Sequence, residues 1–442
     1  MHPRNVISIV KDWSHISQSS PNAVAKALSV VSATAVALAL LLALQHTVVL
    51  PADAQTLTTL YSFNPYKGHY DGVAPNGGLV LDASGNIYGT THQDGSGNYY
   101  RGTVFKVTPS GKETLLFSFY AARGMGPYAG VVRDASGNLY GTTWEGGAHK
   151  NGTVFEVTAS GTETVLHSFA DYPGSKKRPA DGYGPYGGVI FDAQGNLYGT
   201  TFAGGNYNCQ GRSSCGAVFE LTPSGTETLL HKFNGGSDGA GPYAPVIFDQ
   251  NGNLYGTTEF GGAFDCGTVF QLTPSGIETV LYTFTCGSDG AYPYLAGLIL
   301  DAEGNLYGAT FNGGITNCQL GCGVVFKLTP SGAETVLYSF AGGADGANPL
   351  GGLVMDAQGN LYGAAAAQGA NSSCWNGCGV VFELTPSGAE TVLYSFTGGA
   401  DGAYPNGPLV FDSQGNLYGT TVAGGIEGCN IVGCGTVFKL TP

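Results

Sequence analysis

One decapeptide recurs seven times with little change, and no other feature of the sequence restricts the fold so much. It reads DASGNIYGTT from Asp82, DASGNLYGTT from Asp134, DAQGNLYGTT from Asp192, DQNGNLYGTT from Asp249, DAEGNLYGAT from Asp301, DAQGNLYGAA from Asp356 and DSQGNLYGTT from Asp412. The glycine before its Asn falls at 85, 137, 195, 252, 304, 359 and 415, so the spacing runs from 52 to 58 residues. A fixed period of about 50 residues marks a repeat architecture, in which each unit buries its faces against its neighbours.

The unit from Gly187 to Phe233 has room for four strands: GGVIFD, NLYGTT, GAVFELT and TETLLHKF. DAQGN reads as a tight turn, because Asp hydrogen-bonds the backbone two residues on and Gly supplies a positive φ. PSG reads as a second turn. β-Branched and aromatic residues fill the stretches between turns, and no helical period is sustained after residue 55. Side chains alternate along a strand, which predicts Leu230 and Phe233 on opposite faces, with both faces covered. Four strands per repeat of this length predict an all-β propeller.

The ends of the repeat region predict how the ring closes. TLTTLYSF (Thr56–Phe63) matches the fourth strand AETVLYSF (Ala333–Phe340), while the sequence finishes on GTVFKLTP (Gly435–Pro442), a third strand. Setting 56–63 beside 435–441 completes a seven-bladed propeller of four-stranded blades and removes the unpaired edges of a linear array. Residues 55–442 are then one domain of seven repeats.

Residues 1–54 read as a signal peptide. Arg4, Lys11 and Lys26 precede the apolar stretch Ala27–Leu44, and Ala52 and Ala54 in PADAQ have the spacing of a cleavage site after Ala54. The alternative is an uncleaved membrane anchor. No second apolar run follows, so no membrane span is expected beyond the leader. The expected location is extracytoplasmic: secreted, periplasmic or on the cell surface. Ten cysteines agree with an oxidising compartment. Local pairs are Cys209 with Cys215, Cys318 with Cys322, Cys374 with Cys378, and Cys429 with Cys434; Cys266 and Cys286 remain and are candidates to pair with each other. Zinc is disfavoured, because the spacing drifts and no histidine accompanies the pairs. A net charge of −14 with 11% charged residues argues against nucleic acid as a partner.

GNLYGTT, GTVFKLTP and ETVLYSF resemble the GloVer tandem repeat of exported bacterial proteins that carry one of several anchors. VIFDAQGNLYGTT is more distantly similar to the repeat of NHL-type and gluconolactonase-like propellers. The resemblance implies export and a propeller-like repeat; it brings no activity with it. No C-terminal anchor precedes Pro442, so the expectation is a chain that is released or held by an uncleaved leader.

Propeller topology places the short, uniform turns on one face. The variable loops between second and third strands, and the links from one blade to the next, lie on the other. Function is expected on the variable face. The links carry Asp71, Asp181, Asp238, Asp289, Asp345 and Asp401, with Tyr128, Tyr186, Tyr243, Tyr294 and Tyr404 nearby. The second unit breaks the pattern around Met125. At a channel mouth, such carboxylates could hold calcium or orient sugar hydroxyls, with Tyr faces as platforms. The structural alternative is that each Asp caps its own turn and each Tyr packs under a loop. His167 and His231 replace the Tyr of LYSF and are expected on the blade surface. His69, His92 and His149 fall in variable loops, with Trp144 and Glu145 beside them and Glu259 in the place of Glu145. No catalytic motif is present: no nucleophile elbow, H-E-x-x-H or P-loop. Two functions compete. One is a monomeric, cofactor-free binding or structural envelope protein that takes a glycan or protein through the disulfide-stapled face. The other is a metal-dependent lactonase-, lyase- or glycosidase-like enzyme.

Overall fold

A computed structural model describes residues 55–64, 71–94, 101–170, 181–206, 209, 215–315, 317–426 and 434–441. All belong to one compact unit, Gln55–Pro442. The expected leader, His69 and Cys429 lie outside the described residues. No helix among the described residues is long and apolar enough to cross a membrane.

The chain forms a seven-bladed β-propeller. In blade 3 the strands run Ile190–Phe191, Leu197–Thr201, Ala217–Leu221 and Glu227–Lys232 from axis to rim, each antiparallel to the last. Blades 1, 2, 4, 5 and 6 repeat this order, with innermost strands beginning at Val80, Val132, Ile247, Ile299 and Val354. Blade 7 combines Val410–Phe411, Leu417–Ala423 and Thr436–Thr441 with Thr56–Ser62 as its outer strand. Thr56 pairs with Thr441 and Ser62 with Thr436, so the ring closes as the two ends of the repeat region predict.

The decapeptide makes the inner hairpin of each blade. In blade 3, Asp192 Oδ1 accepts from the backbone N–H groups of Gln194 and Asn196, and Oδ2 accepts from the Asn196 side chain and the Tyr198 hydroxyl. Burial alone would raise this carboxyl, but those hydrogen bonds hold it below the usual range, as they do Asp82, Asp249, Asp301, Asp356 and Asp412. The Gly of YGT makes room for an aromatic: a Cβ on Gly199 would lie 2.7 Å from Phe219 Cζ. The first Thr reaches the neighbouring blade. Thr90 donates to Ala129 O at 2.7 Å, Thr142 to Gly187 O at 2.8 Å and Thr200 to Ala244 O at 3.0 Å. Thr257 Oγ1 is buried without a partner, because the link to blade 5 carries one extra residue between Asp289 and Ile299.

The core is a set of seams between blades. Each outer strand ends in a Phe that packs edge-on against the third-strand Phe of the next blade: Phe233 on Phe270 at 5.1 Å, Phe284 on Phe326 at 5.2 Å, Phe396 on Phe438 at 5.3 Å. Phe63 on Phe105 repeats the contact at the closing seam, at 5.1 Å. These rings are fully buried. One expectation is corrected here. Leu230 and Phe233 pack into the same cluster, and Leu229 takes the opposite face. The cause is a β-bulge: Val218 pairs with His231 but Phe219 with Leu229, so one residue is skipped and the alternation slips. Both faces are covered all the same.

Candidate ligand-binding face

The six link aspartates serve the rim. Asp289 accepts from the Tyr282 hydroxyl at 3.0 Å and from Thr285 N at 2.8 Å, both at the end of the outer strand. Asp345 holds Tyr338 and Ala341 N in the same way, and Asp401 holds Tyr394 and Thr397 N. Asp71 takes the Tyr61 hydroxyl and Asn64 N. Where Tyr becomes His the pairing persists: His167 Nε2 lies 3.2 Å from Asp181, and His231 Nε2 lies 3.6 Å from Asp238. Burial works against the Asp238 charge, but the nearby His231 imidazole and hydrogen bonds from Asn234 hold its carboxyl low. These carboxylates therefore sit at the outer strands, not at the channel mouth where the sequence placed them. Among the described residues no three His, Cys, Asp or Glu side chains group as a metal site. In blade 2, Arg123 replaces the Asp and pairs with Glu163 at 2.9 Å.

The tyrosines do come together. Three residues after each link Asp the backbone is left-handed, with φ of 65° at Gly184, 64° at Gly241, 56° at Tyr292, 57° at Asn348 and 58° at Tyr404. That turn and the following Pro aim the next side chain over the channel. Going round from blade 1, that side chain is Asn76, Tyr128, Tyr186, Tyr243, Tyr294, Leu350 and Asn406. Ring centroids are 5.0 Å apart from Tyr128 to Tyr186, 4.8 Å from Tyr186 to Tyr243 and 4.3 Å from Tyr243 to Tyr294. The arc stops there. Asn406 and Asn76 stand across the mouth, their amides 3.4 Å apart, with Asn406 Oδ1 buried and unbonded. Tyr404 is not part of the arc, since its hydroxyl donates to Trp375 O at 2.7 Å.

A second layer backs the arc. In blades 1 to 3 the residue that follows YGTT packs on the next blade's link: His92 lies on Tyr128 at 4.2 Å, Trp144 on Tyr186 at 5.6 Å and Phe202 on Tyr243 at 4.4 Å. Glu259 occupies this position in blade 4. The bridges Met125 with Glu145 and Ala240 with Phe260 set its register, so Glu259 matches Trp144 and not Glu145. Blades 6 and 7 carry the small Ala366 and Val422 there. The mouth is thus bulky and aromatic on one side and small on the other. Burial lowers His92 to about 4, so its imidazole is neutral at neutral pH. Burial raises Glu145. It also raises the hydroxyls of Tyr186, Tyr243 and Tyr294, and neighbouring tyrosines and Glu259 add to the rise at Tyr243. His149 is exposed. Beneath the arc lies a cavity of about 290 Å³, walled by inner-strand glycines and apolar side chains such as Val131, Val189 and Leu298.

The disulfides staple the same face. Cys209–Cys215, Cys318–Cys322 and Cys374–Cys378 close within their loops, and Cys266 bonds Cys286. Cys434 is disulfide-bonded, and its expected partner Cys429 lies outside the described residues. The Cys266–Cys286 bridge follows from the repeat. The local disulfides of blades 3 and 6 pack on a left-handed Gly of the link, 2.5 Å from the Cβ site of Gly235 and 2.4 Å from that of Gly398. In blade 4 the shorter loop holds one Cys, and Cys286 takes that Gly position with φ of 64°.

The sequence model described as the Gloeobacter/Verrucomicrobia repeat matches residues 47–209, 175–321 and 295–442. The chain belongs to this family. No curated protein sequence matches this repeat protein. Among solved structures, virginiamycin B lyase from Staphylococcus aureus is similar with a TM-score of 0.54 at 16% identity, over 88% of this chain and 99% of that one. A gluconolactonase from Xanthomonas campestris aligns at 14% identity and a TM-score of 0.40, over 87% and 89%. The lyase likeness shows a shared fold. The four disulfides whose two cysteines are both among the described residues suggest that this repeat protein folds in an oxidising environment.

Proposed function

We propose that this chain is an extracytoplasmic ligand-binding propeller that holds its ligand at the channel mouth, against the Tyr128–Tyr294 arc. One observation carries this reading. A single repeat position is Tyr in four consecutive blades and Leu350, Asn406 and Asn76 in the other three, whereas a purely structural need would recur in all seven. Aromatic faces on one side and amides on the other suit a ligand with a flat apolar face and polar edges, such as a sugar ring. The leader-like N-terminal sequence and the disulfides support export in this reading. The link aspartates bind no ligand in this reading, and neither calcium nor another cofactor is required.

Trp144 stacks on Tyr186 and reports on the site. In a W375F background, saccharide titration is expected to change Trp144 emission, and Y186A with Y243A to weaken binding at least about tenfold. Binding unaltered by the double substitution overturns the reading. The competing enzyme, a metal-dependent lactonase-, lyase- or glycosidase-like propeller, is favoured by the buried neutral His92 beside Tyr128. It predicts bound metal in the purified protein and turnover abolished by H92N.

A further inference from the structure

A second concave site lies beyond the end of the arc, between the disulfide loops of blades 5 and 6. Cys318–Cys322 encloses Leu320, and Cys374–Cys378 encloses Trp375 and Asn376. The two loops flank a groove of about 780 Å³, within the usual size of small-ligand sites. Trp375 is 91% exposed and Leu320 is 72% exposed. Scattered apolar surface residues need no explanation. Here, however, both border one groove whose polar side chains are all amides, and the Trp375 backbone is anchored by the Tyr404 hydroxyl, which donates to its carbonyl oxygen.

Those amides are pre-set. Asn348 Nδ2 donates to Phe311 O at 2.8 Å, and Gln368 Nε2 donates to Asn376 Oδ1 at 2.9 Å. Each bond fixes a side chain by one atom and leaves another unengaged: the Asn348 and Gln368 oxygens accept, and Asn376 Nδ2 donates. Four groove residues have left-handed backbone without being Gly: Leu320 at φ 71°, Asn348 at 57°, Gln368 at 61° and Asn376 at 65°. The Asn348 turn recurs in the other links, whereas the other three belong to these two loops, and backbone of this kind concentrates at binding sites. Among the described residues no charged side chain lines the groove.

We propose that this groove binds a neutral glycan. The apolar C–H face of a sugar ring stacks on the Trp375 indole, whose negative π face attracts it. The amides bridge adjacent hydroxyls, each of which donates and accepts as an amide does. An anionic polymer lacks a partner here, and the net charge of −14 repels it. The inference does not rest on the channel-mouth reading.

Affinity electrophoresis of the full chain through gels containing laminarin, xyloglucan, soluble starch or polygalacturonate tests it. At least one neutral glycan is expected to retard the protein and polygalacturonate to leave it unretarded. W375A is expected to weaken the retardation about tenfold, and Q368A about threefold, with melting temperature unchanged because both side chains are at the surface. Failure of all three neutral glycans overturns the proposal, as does polygalacturonate retarding the protein at least as well. Equal retardation of W375A and wild type also overturns it; if Y186A/Y243A alone then loses binding, the channel-mouth reading stands without this one.

Discussion

Replacing Glu113, Glu334 and Glu390 with Gln is expected to flatten the pH dependence of the propeller's stability between pH 5 and 8. Each begins an outer strand and faces the Asp of the preceding link: Asp71, Asp289 and Asp345. One oxygen of each Glu is buried without a hydrogen bond. Burial first, and the facing carboxylate second, push all three from 4.5 up to about 7. A carboxyl raised that far has a ceiling of about 3.4 kcal/mol. The groups are half-buried, and solvent screening cuts this to about 1 kcal/mol each, about 3 kcal/mol together. The sign is set by the unfolded chain, which releases these protons first as pH rises. The folded state therefore keeps the full contribution below pH 4.5 and loses it as pH climbs through 7. With an unfolding entropy of about 0.8 kcal/mol/K for a domain this size, wild type should melt about 4 °C lower at pH 8 than at pH 5 on this account. His92 is lowered by burial and works the opposite way below pH 6.5, but it is common to both proteins and cancels in the comparison. Scanning calorimetry of wild type and the triple variant from pH 5 to 8 is the assay. The curves should meet near pH 5 and separate by about 4 °C at pH 8, with the variant above. Parallel curves, or a variant less stable at pH 8, would refute the account of these seams.

Phe284→Ala opens a cavity at a seam where the ring is fully buried against Phe326. It should cost about 3–5 kcal/mol, read as a melting temperature lower by about 5 °C. Thr142→Val removes the bond to Gly187 O and should cost about 1 kcal/mol, whereas Thr257→Val should be neutral or stabilising, since that hydroxyl has no partner. Denaturant midpoints of the two variants make the comparison. Loss of Cys266–Cys286, which spans 20 residues, should cost about 3 kcal/mol against about 2 for Cys374–Cys378, which spans 4. Chemical denaturation of the two double Cys→Ala variants measures the difference.

The ring was legible in the sequence because its determinants are local and repeated. The Asp192–Asn196–Tyr198 turn, the Phe pairs and the match of 56–63 to an outer strand need only the period and turn chemistry. The Cys266–Cys286 bridge was legible by elimination, although its reason, a Cys in a Gly position, required the fold. The aspartates were misplaced because a link is too long to reveal which of its ends a side chain serves; the Tyr or His of LYSF was the overlooked partner. Glu259 was assigned one residue off because the second-strand exit alternates faces, and a one-place shift exchanges them. The Tyr arc was named residue by residue, but the backing layer of His92, Trp144 and Phe202 appears only once neighbouring blades are set side by side. Trp375 and its amides were passed over because their loops do not repeat. C-W-N-G-C, with a large apolar residue inside a four-residue staple, was the available signal.

Closure of blade 7 by Thr56–Ser62 against Thr436–Thr441 also dictates an order of events during synthesis. The outer strand of the last blade is made before any other strand of the ring, and its partner follows 380 residues later, by subtraction of 56 from 436. At about 5–20 residues per second, synthesis of that interval takes about 20–80 s, and wherever the chain folds, the first strand has no partner until the other six blades have been made. Through that wait the growing stack presents open flanks to any other chain nearby. The step most exposed to failure is then the last one, because Thr56–Ser62 must still be unpaired when Thr436–Thr441 reaches it.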